Sequence, residues 1–241
     1  MTMLRDHPER NVIRLQLKQN VVLQGLDDED FSELEPHLVI VDGHKGDFLL
    51  YQGVREMEQY FILDGILKRV VSNKEGKEMI LRFADEREME TSYAAWCLGT
   101  PTPYGIVCVT KARVARLPLE KWVAFLEERA EAKKLFEYCV MRGMSEIMAH
   151  TITLHLLDAP GRLHRFLRKH PRLVDRIPGK ELAAYLNLSA ETLSRLRHSD
   201  KVCRPRTPRG PFSRRVAARE TGWPWVPGSR RAASRSAARA A

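Results

Sequence analysis

The sequence predicts an α+β protein built from an antiparallel β-roll, a long helix and a C-terminal helix-turn-helix. Three observations predict this class. Short apolar runs cut by glycines fill residues 37–118, the apolar period becomes helical after Pro118, and residues 177–197 contain two short helices joined by a tight turn. The predicted division is a β-roll over 20–120, a long helix over 121–158, a helix-turn-helix region over 159–200 and a disordered basic tail over 201–241.

The positive charge of the chain is concentrated at its C-terminal end. The 241 residues include 40 Lys and Arg against 31 Asp and Glu, a net charge of +9. Residues 201–241 alone hold eleven bases and one acid, so the first 200 residues carry 29 bases against 30 acids. Overall basicity is therefore no argument for nucleic-acid binding by the folded part. The tail is interpreted either as a basic arm that contacts DNA or as an accidental extension from a shifted reading frame.

Several classes of protein are excluded by the residue pattern. Residues 91–110 form the only uncharged stretch of 20, and their prolines and glycines argue against a transmembrane helix. The N-terminus lacks the apolar core of a secretory signal. The four cysteines (Cys97, Cys108, Cys139 and Cys203) have no paired spacing, which predicts free thiols in a cytoplasmic protein without a metal site. Catalytic motifs such as GxSxG, HExxH and Walker A are missing, so no enzyme activity is predicted.

The β-roll is predicted from turn signals placed between β-rich runs. A short helix over 21–35 opens the region, with Asp27 as its cap. The Asp-Gly pair at 64–65 and the segment 73–76 then mark turns between runs rich in Val, Ile and Leu. The segment 107–117 predicts the strand pair that closes the sheet. Short strands at this spacing predict an antiparallel roll or sandwich of about 80 residues.

One long helix is predicted after Pro118, because apolar residues recur at spacings of three and four. This stripe runs from Trp122 to Leu154 through Leu126, Leu135, Phe136, Cys139, Val140, Gly143, Ile147 and Thr151. Either the β-roll or the same helix of a second copy has to cover it. The second copy is favoured, because the stripe is longer than the adjoining roll can cover. The sequence therefore predicts a homodimer that associates through Leu126–Leu154.

A helix-turn-helix is predicted over 179–198. In the first helix Leu182 and Ala183 face a core, and Ala183 is small enough to let a second helix cross closely. Ser189 is placed to cap that second helix. Its outward positions are Ala190, Glu191, Ser194, Arg195 and Arg197. An ordinary helical hairpin is the alternative, but the cap, the turn and the polar face together favour a helix that enters the DNA major groove.

These residues resemble the DNA-binding end of the cyclic-AMP receptor/fumarate–nitrate regulator (CRP/FNR) family. The resemblance is carried by Leu188–Arg195 and the preceding Ile177–Leu186, and the family has the same order of roll, long helix and helix-turn-helix over about residues 20–200. It implies that outward Glu, Ser and Arg side chains read bases, since a carboxylate accepts from cytosine and Arg pairs with guanine. The resemblance assigns these roles to Glu191, Ser194 and Arg195. The full set of predicted DNA-binding residues is Lys180, Ser189, Glu191, Thr192, Ser194, Arg195 and Arg197.

One position departs from the family pattern. Many members carry Arg where this chain has Ala190, which predicts one missing phosphate or base contact. Segments 171–178 and 194–197 are most similar to a short subgroup that lacks the usual β-wing. The implied partners are a palindromic double-stranded DNA operator and a second copy of the chain, with RNA polymerase as a further candidate. No membrane partner is implied.

The sensor half is similar to the cyclic-nucleotide-binding roll over residues 41–53 and 60–65. Nucleotide-binding members place a Gly-Glu and a later Arg-Ser/Thr-Ala against the ribose and the cyclic phosphate. The equivalent stretch here, from 85 to 105, contains neither, and its four acids within 85–90 would repel a phosphate. A cyclic nucleotide is therefore disfavoured. The candidate effector pocket comprises Arg82, Glu88, Glu90, Thr91, Ser92 and Tyr104.

No cofactor is predicted. Haem ligation, oxidant sensing and an aromatic-lined pocket are weaker interpretations than ordinary core or surface roles for the same side chains. Their candidate residues are His44, His150 and His155 for haem, Cys97 and Cys108 for oxidants, and Tyr93, Trp96 and Tyr104 for the pocket.

The main hypothesis is a cytoplasmic, homodimeric, sequence-specific transcription regulator whose β-roll senses an unidentified signal. The alternative is a ligand-sensing module whose helical end contacts protein and does not bind DNA.

Overall fold

The computed structural model describes residues 1–198, and the predicted basic tail over 201–241 lies outside the described residues. The strands of the described part are β1 (Thr2–Met3), β2 (Val39–Gly43), β3 (Phe48–Leu50), β4 (Glu58–Asp64), β5 (Leu67–Ser72), β6 (Glu78–Ala84), β7 (Met89–Thr91), β8 (Gly105–Cys108) and β9 (Ala112–Pro118). Its helices are α1 (Arg10–Leu17), α2 (Asp28–Leu34), α3 (Tyr93–Cys97), α4 (Leu119–Glu127), α5 (Ala130–Leu156), α6 (Ala159–Lys169), α7 (Gly179–Tyr185) and α8 (Ala190–Arg197). The predicted α+β order of roll, long helix and helix-turn-helix is confirmed.

Two antiparallel sheets form the β-roll, in the strand orders β1-β2-β9-β4-β7 and β3-β8-β5-β6. Strand β4 shows how the alternation of side chains serves two cores at once. Tyr60 and Ile62 pack between the two sheets, whereas Phe61 and Leu63 pack against the helices on the outer face. The predicted turn at 64–65 joins β4 to β5. Gly65 is required there, because its φ is +90° and a Cβ atom would lie 2.3 Å from the carbonyl oxygen of Lys111.

Residues 1–19 also belong to the folded unit, although the predicted roll begins only at residue 20. Strand β1 pairs with β2, with Thr2 opposite Ile40. Helix α1 buries Ile13 and Leu17 in the core that the outer helices share with the first sheet. The polar N-terminal segment thus adds an edge strand and a covering helix.

Two helices occupy the region where the apolar period predicts one. Helix α4 ends at Glu127, and α5 begins after Arg129, whose φ of −131° and ψ of 76° interrupt the helix. The Arg129 guanidinium holds this break, because it pairs with Asp30 and Glu33 of α2 at 2.5 Å and lies 3.8 Å from the ring centroid of Phe125. The break lets α4 pack on the roll while α5 runs on towards the C-terminal module.

Helix α5 carries apolar side chains on two faces. The predicted stripe is covered largely by the chain's own roll, since Phe136, Cys139 and Gly143 are buried. A second face, which the sequence pattern did not single out, is exposed along the helix. Its side chains are between 50% and 76% exposed and comprise Tyr138, Met141, Met144, Met148, Ile152 and Leu156. An exposed apolar strip of this length needs a partner surface.

The C-terminal module packs against the outer face of the second sheet. Ile80 and Phe83 of β6 share one core with Leu163, Tyr185 and Leu193 of the three last helices. An ion pair of 2.7 Å between Lys68 of β5 and Glu181 of α7 lies beside this core and is mostly buried. Roll and helix-turn-helix are therefore joined through the second sheet as well as through α5.

Arg162 joins the ends of two helices. Its guanidinium donates hydrogen bonds to the carbonyl oxygens of Leu154 (2.7 Å) and Leu157 (2.9 Å) at the end of α5, and to that of Leu186 (3.2 Å) after α7. Carbonyl groups at helix C-termini have no partner inside the helix, so a cation placed there satisfies them. Arg162 thereby fixes the turn of the helix-turn-helix relative to α5.

A neutral histidine lies between α5 and the C-terminal module. The His150 ring stacks on Tyr185 with a centroid distance of 3.7 Å and an interplanar angle of 2°. Burial lowers the pKa of His150 to about 4, and it lowers the pKa of His170 on the neighbouring segment to about 4 as well. Both groups charge more readily in the unfolded chain, so protonation opposes this packing.

We expect the free energy of unfolding to fall as the pH drops from about 6.5 towards 4.5. In this range His150 and His170 bind protons in the unfolded chain but stay largely neutral in the folded protein. His150 is half-buried, and water screens its charge, so its contribution to this loss of unfolding free energy is roughly 1–2 kcal/mol. His150→Phe should keep the stacking on Tyr185 and flatten the slope in urea unfolding between pH 7 and 4.5. His155→Phe, at an exposed position of the same helix, serves as the control. An unchanged slope in His150→Phe would contradict the assignment.

Candidate functional site

The helix-turn-helix is formed by α7, a four-residue connection and α8. Ala183 is buried where the helices approach, and Leu182 and Leu193 lie in their shared core. Asn187 turns the chain with a φ of 52°, a conformation that Asn tolerates better than most residues. The Ser189 hydroxyl caps α8 by accepting from the backbone N–H of Thr192 at 3.2 Å.

The predicted DNA-binding side chains of α8 and its cap form an exposed surface. Glu191, Ser194, Arg195 and Arg197 of α8 are exposed, as are Lys180 at the start of α7 and Ser189 at the cap. Thr192 is half-buried and accepts from Ser189 and from Arg195 (3.3 Å), so it supports the surface more than it forms it. Hydrogen bonds from its own backbone N–H and from Ser189 lower the pKa of Glu191, which favours its acceptor form. The surface offers acceptors and cations side by side.

The second site is a cavity between the roll and α5 that begins at a pair of arginines. Arg69 of β5 and Arg82 of β6 are directly opposite each other in the sheet. Like charges at such a pair repel and destabilise a sheet unless something neutralises them. The carboxylate of Glu90 from β7 does so, because it pairs with Arg69 and lies 3.3 Å from Arg82. Glu90 itself is only 1% exposed.

Each arginine has further partners. Arg69 donates to the carbonyl oxygen of Thr91 at 3.1 Å and lies 4.5 Å above the ring centroid of Tyr104. Arg82 donates to Glu88 at 3.0 Å. Burial lowers the pKa of Arg82, but attraction by Glu90 and Glu88 outweighs it, so the pKa is raised. Burial raises the pKa of Glu88. Arg82 therefore remains charged, and both arginines pair with carboxylates inside the protein.

Arg82 also reaches α5. A Cβ atom at Gly143 would lie 2.8 Å from an Nη atom of Arg82, so the missing side chain makes room for the guanidinium. The guanidinium therefore packs directly on the α5 backbone at the edge of the cavity. This contact connects the floor of the cavity to the long helix.

The cavity has a volume of about 200 Å³ and takes its walls from three parts of the fold. Strands β5 to β7 contribute Arg69, Arg82, Met89 and Thr91; the segment 93–104 contributes Tyr93, Ala94, Ala95, Pro103 and Tyr104; and α5 contributes Cys139, Val140, Gly143, Met144 and Ile147. Most of these side chains are apolar, with the polar groups gathered at the sheet end.

Three of the six predicted pocket residues line the cavity, namely Arg82, Thr91 and Tyr104. Glu88 and Glu90 lie behind the arginines as their partners. The hydroxyl of Ser92 is fully buried, pairs with that of Thr102 at 3.1 Å and does not line the cavity. The six residues thus form one connected group. Three of them line the cavity, and the other three support the residues that line it.

Arg69 and the cavity wall from α5 were not among the residues predicted for the pocket. Arg69 follows Lys68 in a strand, and without the register either of the two could be the one that faces inward. Arg82, which lies opposite Arg69 in the sheet, was included in the predicted pocket only because it precedes the acidic segment 85–90. The α5 wall was interpreted as part of a dimer stripe, since periodicity shows which residues share a face but not what that face contacts.

The weaker effector candidates occupy ordinary positions. His44 and His155 are exposed, and His150 stacks on Tyr185. Burial raises the pKa of the Cys108 thiol to about 11, which disfavours the reactive thiolate. Trp96 faces a separate outer groove, so only Tyr93 and Tyr104 of the three predicted aromatics line the cavity.

Residues 1–198 contain neither a metal-binding cluster nor a membrane-spanning helix. No cluster of three or more His, Cys, Asp or Glu side chains is placed to hold a metal ion there. Across the same residues, every helix is too short or too polar to cross a membrane.

The roll matches a known sequence family, and the described chain as a whole is similar in fold to solved structures. Residues 41–129 match the family described as cyclic nucleotide-binding domain. CooA from Carboxydothermus hydrogenoformans, in a mutant form, superposes with a TM-score of 0.60 at 14% identity, covering 77% of this chain and 84% of that one. FixK2 from Bradyrhizobium japonicum gives 0.59 at 13% identity over 67% and 83% of the two chains.

A transcriptional regulator from Eubacterium rectale, named for the CRP/FNR family, gives a TM-score of 0.60 at 15% identity and covers 77% of this chain and 88% of its own. No curated protein sequence matches this chain significantly. At these identities the structural likeness establishes the fold. The described chain has the architecture of CRP/FNR regulators, and the resemblance drawn from residues 177–195 is confirmed at that level.

Glu90→Gln should destabilise the protein strongly, because it leaves two opposed, buried arginines without a full counter-charge. Loss of one partner of a buried ion pair costs about 3–5 kcal/mol. Glu127→Gln removes the exposed partner of Lys133 and should cost less than about 1 kcal/mol. Equilibrium unfolding in urea measures both variants. A Glu90→Gln protein as stable as the Glu127→Gln control would show that the pairing contributes little.

Proposed function

We propose that this protein, which joins a cyclic nucleotide-binding domain to a helix-turn-helix in the arrangement of the CRP/FNR regulators, is a cytoplasmic, homodimeric, sequence-specific DNA-binding transcription regulator. Its roll (20–120) senses an effector, the long helical region (121–158) carries the dimer contact, and the C-terminal module (159–200) reads DNA. RNA polymerase is a further candidate partner. The observation that carries the proposal is the exposed polar face of α8 on a capped helix-turn-helix.

The chemistry of this face fits the edges of base pairs. Arg195 can donate two hydrogen bonds to guanine, and Glu191 can accept from cytosine. Both project from the first two turns of α8, the part of a recognition helix that enters the major groove. Lys180 and Arg197 are exposed cations that can contact phosphates. Ala190 offers no such contact, so affinity depends on the remaining side chains.

Dimerisation is supported by the exposed apolar face of α5. Six large side chains from Tyr138 to Leu156 are at least half exposed along one helix. The same helix from a second copy offers a self-complementary surface of equal length. Met144 lies on this face and also in the cavity wall, so the effector pocket and the dimer contact share a residue.

A gel-shift assay with genomic DNA fragments tests the proposal against its alternative, a sensing module that acts through protein contacts alone. Specific retardation that survives excess competitor DNA supports the regulator. Failure to retard any fragment at low salt would support the module and contradict the regulator. Salt must be varied, because phosphate contacts alone produce non-specific binding.

Arg195→Ala should reduce the free energy of operator binding by about 1–3 kcal/mol, because it removes the contact to one base pair. The preference for one base at that position should be relaxed as well. Lys180→Ala and Arg197→Ala should instead weaken binding to all sequences alike and flatten its dependence on salt. Competition binding with operators substituted one base pair at a time measures the difference. An unchanged base preference in Arg195→Ala would show that α8 is not the recognition helix as placed.

Met148→Glu should convert the dimer into a monomer at micromolar concentration, since it buries a charge in the centre of the apolar face. Met79→Glu makes the same change on a side chain of the roll that is 50% exposed, and it should leave the dimer intact. Light scattering measures both masses. A wild-type protein that is monomeric while bound to its operator would contradict the dimer.

A further inference from the structure

We infer that the cavity between the roll and α5 binds a small, uncharged, mainly apolar molecule that carries one hydrogen-bond acceptor, which is met by the hydroxyl of Thr91. As the effector of the regulator, this ligand rests on the proposed function. Its chemistry follows from three properties of the cavity: the charge balance, the walls and one unpartnered hydroxyl.

The charge balance disfavours an anionic ligand. Arg69 pairs with Glu90 and Arg82 pairs with Glu88 and Glu90, so both guanidinium groups already have carboxylate partners. An incoming anion would compete for these guanidinium groups with Glu90, which is 1% exposed. Displacing it would leave a buried carboxylate without its partners, which is costly. An uncharged ligand avoids this cost.

The walls favour an apolar body. Met89, Val140, Met144 and Ile147 surround the cavity on the sheet and helix sides, and Ala94 closes a third side. Pockets of this kind enclose apolar surface and orient it through a few polar groups. The volume of about 200 Å³ fits a compact ligand of one or two rings, or a short acyl chain.

Thr91 supplies the unpartnered hydroxyl. The residue is only 4% exposed and lines the cavity, and its Oγ1 atom is buried without a hydrogen-bond partner among the described residues. Its carbonyl oxygen is already used, since Arg69 and Tyr104 (2.7 Å) both donate to it. A buried hydroxyl left unpaired is destabilising. Because the neighbouring guanidinium groups can only donate, this end of the cavity matches an acceptor on the ligand.

The first experiment measures binding of 6-propionyl-2-dimethylaminonaphthalene, an uncharged fluorophore with one carbonyl acceptor, to the full chain without DNA. We expect saturable binding with a blue shift in emission, no displacement by cyclic AMP, and much weaker binding of the corresponding naphthalene carboxylate. Ala94→Trp, which fills the cavity, should abolish the shift. Tighter binding of cyclic AMP or of the carboxylate, or failure of the uncharged probe to bind, would overturn the inference.

The second experiment isolates the hydroxyl. Thr91→Val should weaken binding of the carbonyl probe by about 2- to 10-fold and leave binding of 2-dimethylaminonaphthalene, which lacks the carbonyl, unchanged. It should not lower the midpoint of urea unfolding. Thr102→Val is the matched control, because the Thr102 hydroxyl already pairs with the Ser92 hydroxyl and with the carbonyl oxygen of Tyr104. This variant should lower the midpoint of urea unfolding and leave the ratio of the two probe affinities unchanged. Equal loss of both probes in Thr91→Val would overturn the role of the hydroxyl. These readouts need no operator, so loss of DNA binding would count against the proposed function alone.

Discussion

The placement of Glu90 between two opposed arginines is the constraint on which the rest of the site depends. Arg69 and Arg82 are neighbours across β5 and β6, and without a buried carboxylate their repulsion would separate the strands that form the cavity floor. The same carboxylate cancels the charge that would otherwise attract a phosphate. With Arg82 held in place, its guanidinium packs on the α5 backbone at Gly143. Stability of the roll, ligand class and contact with the long helix thus follow from one arrangement of charges.

From that contact, α5 leads to the C-terminal module by two routes. One is the core that β6 shares with the last helices, reinforced by the ion pair of Lys68 and Glu181. The other is the end of α5 itself, where Arg162 bonds the carbonyl groups of α5 and α7, and His150 stacks on Tyr185. A ligand that moves α5 would therefore act on the turn before α8. The roll and the C-terminal module share packed side chains, which provides a direct route between them.

The elements that local chemistry specifies were predictable from the sequence. The turn at 64–65 and the Ser189 cap carry their own signals, and the structure places both as expected. Features set by tertiary contacts were not predictable. The helix breaks at Arg129 because acids of α2 hold its side chain, and no local signal marks this. Arg69 faces inward because of strand register, and α5 has two apolar faces because the roll covers only one.

The proposed two-fold symmetric binding of DNA is tested most directly by footprinting the full chain on genomic fragments selected by binding. We expect two protected half-sites related as a palindrome, with centres about one helical turn (~34 Å) apart, because two copies of α8 would enter adjacent major grooves on one side of the duplex. Protection of a single unsymmetrical site, or uniform protection without sequence preference, would contradict it.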